Sequence, residues 1–236
     1  MNFEVFMEEL KYHYKYPHPS VTTDCVLFGF DGTKINVLLI ERGFEPFKGR
    51  WAFPGGFINM DETAEEGAKR ELFEETGLKD VYIRQFHAFS AVDRDPRERV
   101  ISIAYYALVQ ISEVKGGDDA AKAQWFPLDQ VPPLAFDHDL MLRQALSELR
   151  KQIHFEPIGF ELLPEKFTMT QLQYVYETIL DVKFDRRKLS NKMFKLGILT
   201  ELDEKLTLAN KNIAFLYKFN PESYKEMKEK GFRLEF

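Results

Sequence analysis

One arginine and three glutamates within six residues, Arg70, Glu71, Glu74 and Glu75, are the part of this chain whose types and spacing could do chemistry. A helix turns about 100° per residue, so residues 71, 74 and 75 share one face and concentrate negative charge there. Like charges at i,i+3 and i,i+4 cost a helix roughly a few tenths of a kcal/mol per pair, so the cluster predicts a cation among them. Hard oxygen ligands suit Mg²⁺ or Mn²⁺, held by a few carboxylates while keeping waters and bridging to substrate phosphates. Glu71, Glu74 and Glu75 are therefore candidate metal ligands, with Glu74, Glu75 and Arg70 as candidate catalytic residues. Arg70 beside the acids orients a glutamate through a bidentate pair. The alternative is a solvated acidic surface helix.

The residues around the cluster predict the element that positions it. Thr63 and Glu66 have capping-box spacing, Ala64, Ala68 and Leu72 form a narrow apolar stripe opposite the acids, and Gly77 fits the position just past the helix. Gly55 and Gly56 precede the helix and allow backbone to approach a phosphate or an ion closely. Gly56 is followed after five residues by Glu62, after seven more by Arg70-Glu71-Leu72, then by Glu74-Glu75 and Gly77-Leu78. Seven fixed identities at background frequencies of about one in fifteen coincide by chance on the order of once in 10⁸ windows, which sets the surface-helix reading aside.

This run resembles the Nudix box at every position. The resemblance implies a hydrolase of a nucleoside diphosphate linked to some other moiety X, on an α/β/α sandwich with a mixed sheet. It also implies that the Gly56 carbonyl joins the metal shell and that Glu62 and Arg70 hold the helix in place, in a family that often draws its general base from outside the box. Gly49 to Gly56, GRWAFPGG, looks like the family's lead-in to the box.

Outside the box, Asp93 to Arg99 place six charged residues in seven. Either this is a solvated loop, or it overhangs the box and supplies cations to a diphosphate and an acid to activate water. On the second reading Arg94 and Arg97, with Arg50 from the lead-in, are candidate substrate-binding residues and Glu98 a candidate base. Pro96, eighteen residues beyond Leu78, stands near the place where Nudix hydrolases of ADP-ribose often carry a proline.

Composition is that of an ordinary globular protein, with 44% hydrophobic and 30% charged residues over 236 positions. No apolar run approaches the roughly 18 residues needed to span a bilayer, and the first sixteen residues are too charged and aromatic for a signal peptide, so a cytoplasmic protein is expected. Residues 1–16 read as a short helix or an extended lead-in. The lone Cys25 lies in an apolar run and reads as a buried structural thiol. Residues 21–42 read as a β-hairpin turning at Asp31-Gly32, and VYIRQFHAFSAV and VISIAYYALVQI as strands. Trp125 and Phe126 read as core, and His138 as a cap or surface residue ahead of a helix that begins after Asp137 or Asp139.

Net charge divides the chain. Residues 1–150 carry 17 Lys/Arg against 25 Asp/Glu, or −8, and residues 151–236 carry 15 against 13, or +2. The division expected is a Nudix domain over 1–154, a linker over 155–164 where FEPIGFELLP concentrates proline and glycine, and a winged-helix-like domain over 165–236. In that last stretch a helix capped by Thr170, a second helix ending at Gly197 and two short strands follow in order. RRKLSNKMFK, residues 186–195, holds five basic residues and no acid. Arg186, Arg187, Lys188, Asn191 and Lys192 are candidate DNA contacts, against the alternative of a dimerisation module.

The order of Nudix box, EPIGF stretch, FTMTQLQ helix and YKF ribbon resembles the NrtR-type Nudix-related transcriptional regulators over nearly the whole chain. The resemblance implies operator DNA and ADP-ribose or a sugar as partners, with a homodimer as the expected assembly. Many such regulators carry a damaged box and do not hydrolyse, whereas this box is intact; a Gly-Arg-Pro wing common among them is replaced here by Asn210-Lys211-Asn212. The expected function is thus a Mg²⁺-dependent pyrophosphohydrolase of a nucleoside diphosphate linked to X, with ADP-ribose as the expected substrate, fused to a DNA-binding winged helix. The rival is a non-catalytic sensor and regulator.

Overall fold

The computed structural model describes residues 14–111, 113–114, 120–207 and 213–230. The helix or lead-in expected over residues 1–16 falls mostly outside them, and so does the wing at Asn210-Lys211-Asn212.

The sheet is organised by β1 (Ser20–Phe30), nine of whose eleven residues are buried. Burial on both faces explains its near-continuous apolar sequence. Side chains alternate along a strand, so Cys25 and Leu27 pack with Ala68 and Leu72 on one face, while Val26 and Phe28 pack with Met141 and Ala145 on the other. Along one edge β1 pairs in parallel with β6 (Val100–Gln110), from Ser20 opposite Val100 to Phe30 opposite Gln110. Its other edge is shared by two antiparallel partners. β2 (Ile35–Arg42) takes the end near Phe28, and β4 (Gly55–Phe57) takes the end near Asp24. β3 (Trp51–Ala52) and β7 (Ala120–Pro127) both pair with β2, and β5 (Arg84–Phe89) with β6. The result is the mixed sheet expected, with a helix on each face.

The hairpin of β1 and β2 turns over Asp31 to Lys34, where Asp31 Oδ1 accepts from the Thr33 and Lys34 N–H groups at 2.8 Å each. Helix α1 (Ala64–Thr76) covers the first face. Its capping box closes as expected, with the Glu66 N–H on Thr63 Oγ1 at 3.2 Å and the Thr63 N–H on Glu66 Oε2 at 2.8 Å. Gly77 ends it at φ 77°, donating to the Phe73 carbonyl. Cys25 is buried against the Ala68 carbonyl, and burial pushes its thiol pKa well up, as suits an inert core thiol. Helix α2 (His138–Ile153) covers the second face through Met141, Ala145, Leu149 and Ile153, starting after Asp137 as expected.

The second unit contains α3 (Met169–Leu180), α4 (Arg186–Lys195) and a three-stranded sheet of β8 (Phe167–Thr168), β10 (Ile213–Phe219) and β9 (Leu199–Thr207), followed by α5 (Pro221–Glu229). Two helices followed by a ribbon form the expected winged helix. One local reading is corrected. The cap of α3 is Thr168 rather than Thr170, because Thr168 Oγ1 accepts from the Gln171 N–H while Gln171 Oε1 accepts from the Thr168 N–H. The stretch read as a linker is packed against both units: Ile158 to Leu162 form a 3₁₀ turn, and Ile158, Phe160, Leu162 and Leu163 are buried in the core that α2 and α3 share. Among the described residues no helix is long and apolar enough to cross a membrane.

Candidate active site and nucleic-acid interface

The pairing of β4 with β1 sets Gly55 opposite Asp24 and Gly56 opposite Thr23, at the mouth of a cavity of about 610 Å³. Its walls include Glu71 and Glu75 from α1, Asp24 from β1, His138 from α2, and Arg94, Asp95 and Arg97 from the loop after β5.

Arg70 ties the acidic face together. Its Nε and Nη2 reach the two Glu62 oxygens at 3.0 and 2.6 Å, its Nη1 reaches Glu71 at 2.7 Å and Glu74 at 3.0 Å, and its Nη2 also donates to the Phe57 carbonyl at 3.0 Å. The Arg70 hydrogen bonds hold the Glu62 carboxyl down at about 2, below the ordinary carboxylate range. Glu75 is buried, and its Oε2 accepts the Gly55 N–H at 2.8 Å, which fixes the helix face against the turn.

Whether these residues suit a divalent ion is tested at Gly56. A Cβ placed there would lie 2.4 to 2.7 Å from the Glu71 carboxylate, so the missing side chain leaves a cradle that the carboxylate occupies. Among the described residues no three acids, imidazoles or thiols already converge as a closed cage. The donor chemistry fits a hard cation: two carboxylates line one cavity beside bare glycine backbone, and a third, Glu74, hangs from the same arginine.

The two glycines are not equivalent. A Cβ on Gly55 would meet the Thr23 carbonyl at 2.1 Å and Asp24 Cα at 2.8 Å, which are backbone atoms of β1. Gly55→Ala is therefore expected to destabilise the fold by about 3 kcal/mol in urea unfolding. Gly56→Ala meets only the end of a flexible side chain, so it should keep most stability and displace Glu71. Equal loss of stability in the two variants would contradict this contrast.

Behind the cavity lies a buried polar network that the sequence did not reveal. The Phe53 N–H donates to His138 Nδ1 at 3.0 Å, so the imidazole proton sits on Nε2, which faces Asp24 Oδ1 at 3.5 Å. Asp24 Oδ2 accepts from Ser102 Oγ at 2.5 Å. The Arg94 guanidinium grips Asp137 at 3.0 and 2.8 Å and stands 3.8 Å from Asp24. His138 is thus buried and paired, which corrects its reading as a cap or surface residue. Burial pulls its pKa below the ordinary value, against the opposing pull of Asp24 and Asp137. The folded chain therefore refuses a proton that the unfolded chain accepts, and stability full above the ordinary 6.5 declines as pH falls below it. His138→Gln should show a smaller fall in urea midpoint than the parent between about pH 7 and about pH 5.5, and equal falls would remove His138 from this role.

The loop after β5 divides its charges. Arg97 lines the cavity, held by Asp95 at 3.0 and 2.7 Å, with its guanidinium 5.3 Å from the Phe57 ring and 5.9 Å from the Phe136 ring. Burial alone would raise the Asp95 pKa, but the Arg97 hydrogen bonds outweigh it and hold the carboxyl below its ordinary value. Arg42 adds a second guanidinium over Phe136 at 4.7 Å, another feature that spacing along the sequence could not supply. Three expected residues lie elsewhere. Glu98 is exposed, accepts from Ser20 Oγ at 3.0 Å and does not line the cavity, because it sits on the side of the loop facing the start of β1. Arg50 is exposed with its guanidinium 5.8 Å from the Phe47 ring, outside the cavity. Glu74, whose side chain is 41% exposed, is brought to Glu71 only through Arg70.

In the second unit Asp185 caps α4, accepting the Lys188 N–H at 2.9 Å, and Leu189 and Met193 anchor the helix in the core. Anchoring at 189 and 193 turns the opposite side outward. Arg186, Arg187, Lys188 and Asn191 are exposed and Lys192 is half-buried; among the described residues the first three form no salt bridge. This is a cationic helix face open to solvent.

Comparison with known proteins agrees with both halves. Residues 18–145 match the NUDIX domain, and residues 159–219 match the NrtR DNA-binding winged helix domain. The chain is 32% identical over 214 residues to the ADPR responsive transcriptional repressor NtrR of Acinetobacter baylyi, covering 89% of this chain and 85% of that protein. It is 43% identical over 139 residues to the ADP-ribose pyrophosphatase of Methanocaldococcus jannaschii, covering 58% of this chain and 79% of that enzyme. Among solved structures, NrtR of Shewanella oneidensis complexed with a 27mer DNA superposes with a TM-score of 0.73 at 29% identity, over 87% of this chain and 95% of that one.

Proposed function

The chain belongs to the Nudix family and carries an NrtR-type winged helix behind its Nudix domain, and from that premise we propose that it hydrolyses ADP-ribose with Mg²⁺ or Mn²⁺ and binds DNA as a homodimer. The observation that carries the reading is the meeting, in one cavity, of the box carboxylates Glu71 and Glu75 with the braced guanidinium of Arg97. The ADP-ribose relatives named above support the choice of X. The division at 1–154, 155–164 and 165–236 is part of the same proposal.

In this reading water attacks one phosphorus of the diphosphate and the bridging P–O bond breaks, giving AMP and ribose 5-phosphate. A divalent ion held by Glu71, Glu74, Glu75 and the Gly56 carbonyl would neutralise the diphosphate and make its bound water a better nucleophile. Arg70 keeps the carboxylates oriented from behind through its contacts to Glu62, Glu71 and Glu74. Arg97, braced by Asp95, would offer its guanidinium to phosphate oxygens. Glu98 stays a candidate base only if the 93–99 loop moves on ligand binding; as placed it binds Ser20.

A second reading is favoured by the similarity to the Acinetobacter baylyi repressor, which extends over 85% of that protein: the cavity senses ADP-ribose without turnover. Incubating the protein with ADP-ribose and Mg²⁺ and following AMP separates the two. Release of AMP that stops with chelator supports the hydrolase. Saturable binding of ADP-ribose with no AMP formed establishes the sensor instead.

A further inference from the structure

We propose that helix α2 is the element that couples the ligand cavity to the DNA-binding helices, held by Asp137 and His138 at one end and by Arg150 at the other. The inference rests on the reading above, that one unit binds a nucleoside diphosphate sugar and the other binds DNA.

At the cavity end, the helix gives up a local interaction to reach the site. Asp137 occupies the N-cap position but makes no capping hydrogen bond; its carboxylate is taken by the two-point grip of Arg94 at 3.0 and 2.8 Å. His138, the first helical residue, accepts the Phe53 N–H and faces Asp24. Asp24, Arg94 and His138 all line the cavity. A diphosphate entering there competes for Arg94 with Asp137, so the start of α2 feels whether the cavity is filled.

At the other end, Arg150 Nε donates to the Ile179 carbonyl of α3 at 2.8 Å. Ile179 lies in the last turn of α3, whose own end is turned by Asp181 at φ 55°. The sixteen residues of α2 span about 24 Å at 1.5 Å per residue, enough to join cavity and winged helix as one internally bonded body. Leu149 and Ile153 of α2, Val175 and Ile179 of α3 and Leu189 and Met193 of α4 belong to one buried cluster. Packed cores shift between discrete arrangements rather than deform smoothly, so a displacement of α2 is delivered to α4 and its exposed cations.

A rival route crosses the surface, where Glu156 bridges Arg84 of β5 at 2.7 Å and Lys228 of α5 at 3.4 Å. It supplies the control. DNA affinity is measured by anisotropy on a duplex from the region upstream of the protein's own gene, with and without a methylene-bridged, non-hydrolysable ADP-ribose, in Mg²⁺. The ratio of the two affinities is the coupling factor, and by linkage the DNA must change ligand affinity by the same factor. Arg150→Met keeps the apolar stem and removes the donor. It is expected to shrink the coupling factor at least about threefold, with DNA affinity measured without ligand, ligand affinity measured without DNA and the melting temperature all kept near the parent's. Arg84→Met should leave the factor unchanged. A folded Arg150→Met protein with parental coupling overturns the route through α2, as does loss of coupling in Arg84→Met alone. A parent protein whose DNA affinity ignores the ligand removes the ligand-responsive reading itself, and the route with it.

Discussion

Glu75→Gln is expected to lower Mg²⁺-dependent turnover of ADP-ribose by two or more orders of magnitude while the protein stays folded. The carboxylate is buried and accepts the Gly55 N–H at 2.8 Å through Oε2, and a glutamine carbonyl can keep that bond. What the substitution removes is one negative charge at nearly constant volume, so the fold survives and the ion loses a ligand. The loss should fall on kcat more than on KM, since charge neutralisation is needed most where charge develops on the diphosphate. Glu71→Gln should behave alike, because Glu71 lies in the cradle at Gly56 and lines the same cavity. Glu74→Gln should cost less than either: its side chain is 41% exposed and its described partner is Arg70. Parental turnover in Glu75→Gln, measured as AMP release at saturating Mg²⁺, would remove the proposed metal site from the box. A loss restored by raising Mg²⁺ would place the effect on ion binding instead of on the chemical step.

The helix that carries these glutamates was legible in the sequence because its determinants are local. Thr63 and Glu66 sit three apart, Arg70 to Glu75 lie within two turns, and Gly77 follows the last apolar position; each rule acts over a few residues, and the helix formed as read. The floor of the cavity was not legible, for the opposite reason. Asp24 and His138 are 114 positions apart, and nothing periodic marks either residue until β1 and α2 pack on the same sheet. Arg94 was read as a phosphate ligand from its charge alone, yet its guanidinium is gripped by Asp137. Arg97, from the same loop, lines the cavity with Arg94 but is held by Asp95 instead, and charge density along the chain could not tell these two pairings apart. Proline and glycine at 157 and 159 were read as marking a linker. What the pattern along the chain could not show is that the stretch presses against α3, where a Cβ on Gly159 would meet Tyr176 at 2.9 Å.

Replacing Arg186, Arg187 and Lys188 together by alanine is expected to weaken DNA binding about a hundredfold at ~0.15 M salt, on operator and unrelated duplexes alike. The three side chains are exposed on the first turn of α4, and Leu189 and Met193 anchor that helix independently of them. Alanine has high helix propensity and the Asp185 cap on the Lys188 N–H involves only the backbone of residue 188, so the helix should persist. Each cation seated on a phosphate releases counterions, contributing about 0.9 to the slope of log K against log salt, or about three-quarters of a decade of affinity at ~0.15 M. Removing three such cations should therefore flatten the slope by about 2.7 as well as lower the affinity. The two readouts must move together: a lower affinity with an unchanged slope would mean base recognition or misfolding instead of phosphate binding. ADP-ribose turnover should be untouched, since none of the three residues lines the cavity. Asn191→Ala makes the complementary test. Asn191 is exposed one turn further along α4, and an amide can read a base edge where a cation reads only charge. Its loss should lower affinity for the operator alone and leave the salt slope as it was. If neither variant changes binding to any duplex at low salt, the cationic face of α4 does not meet DNA, and the winged helix serves assembly.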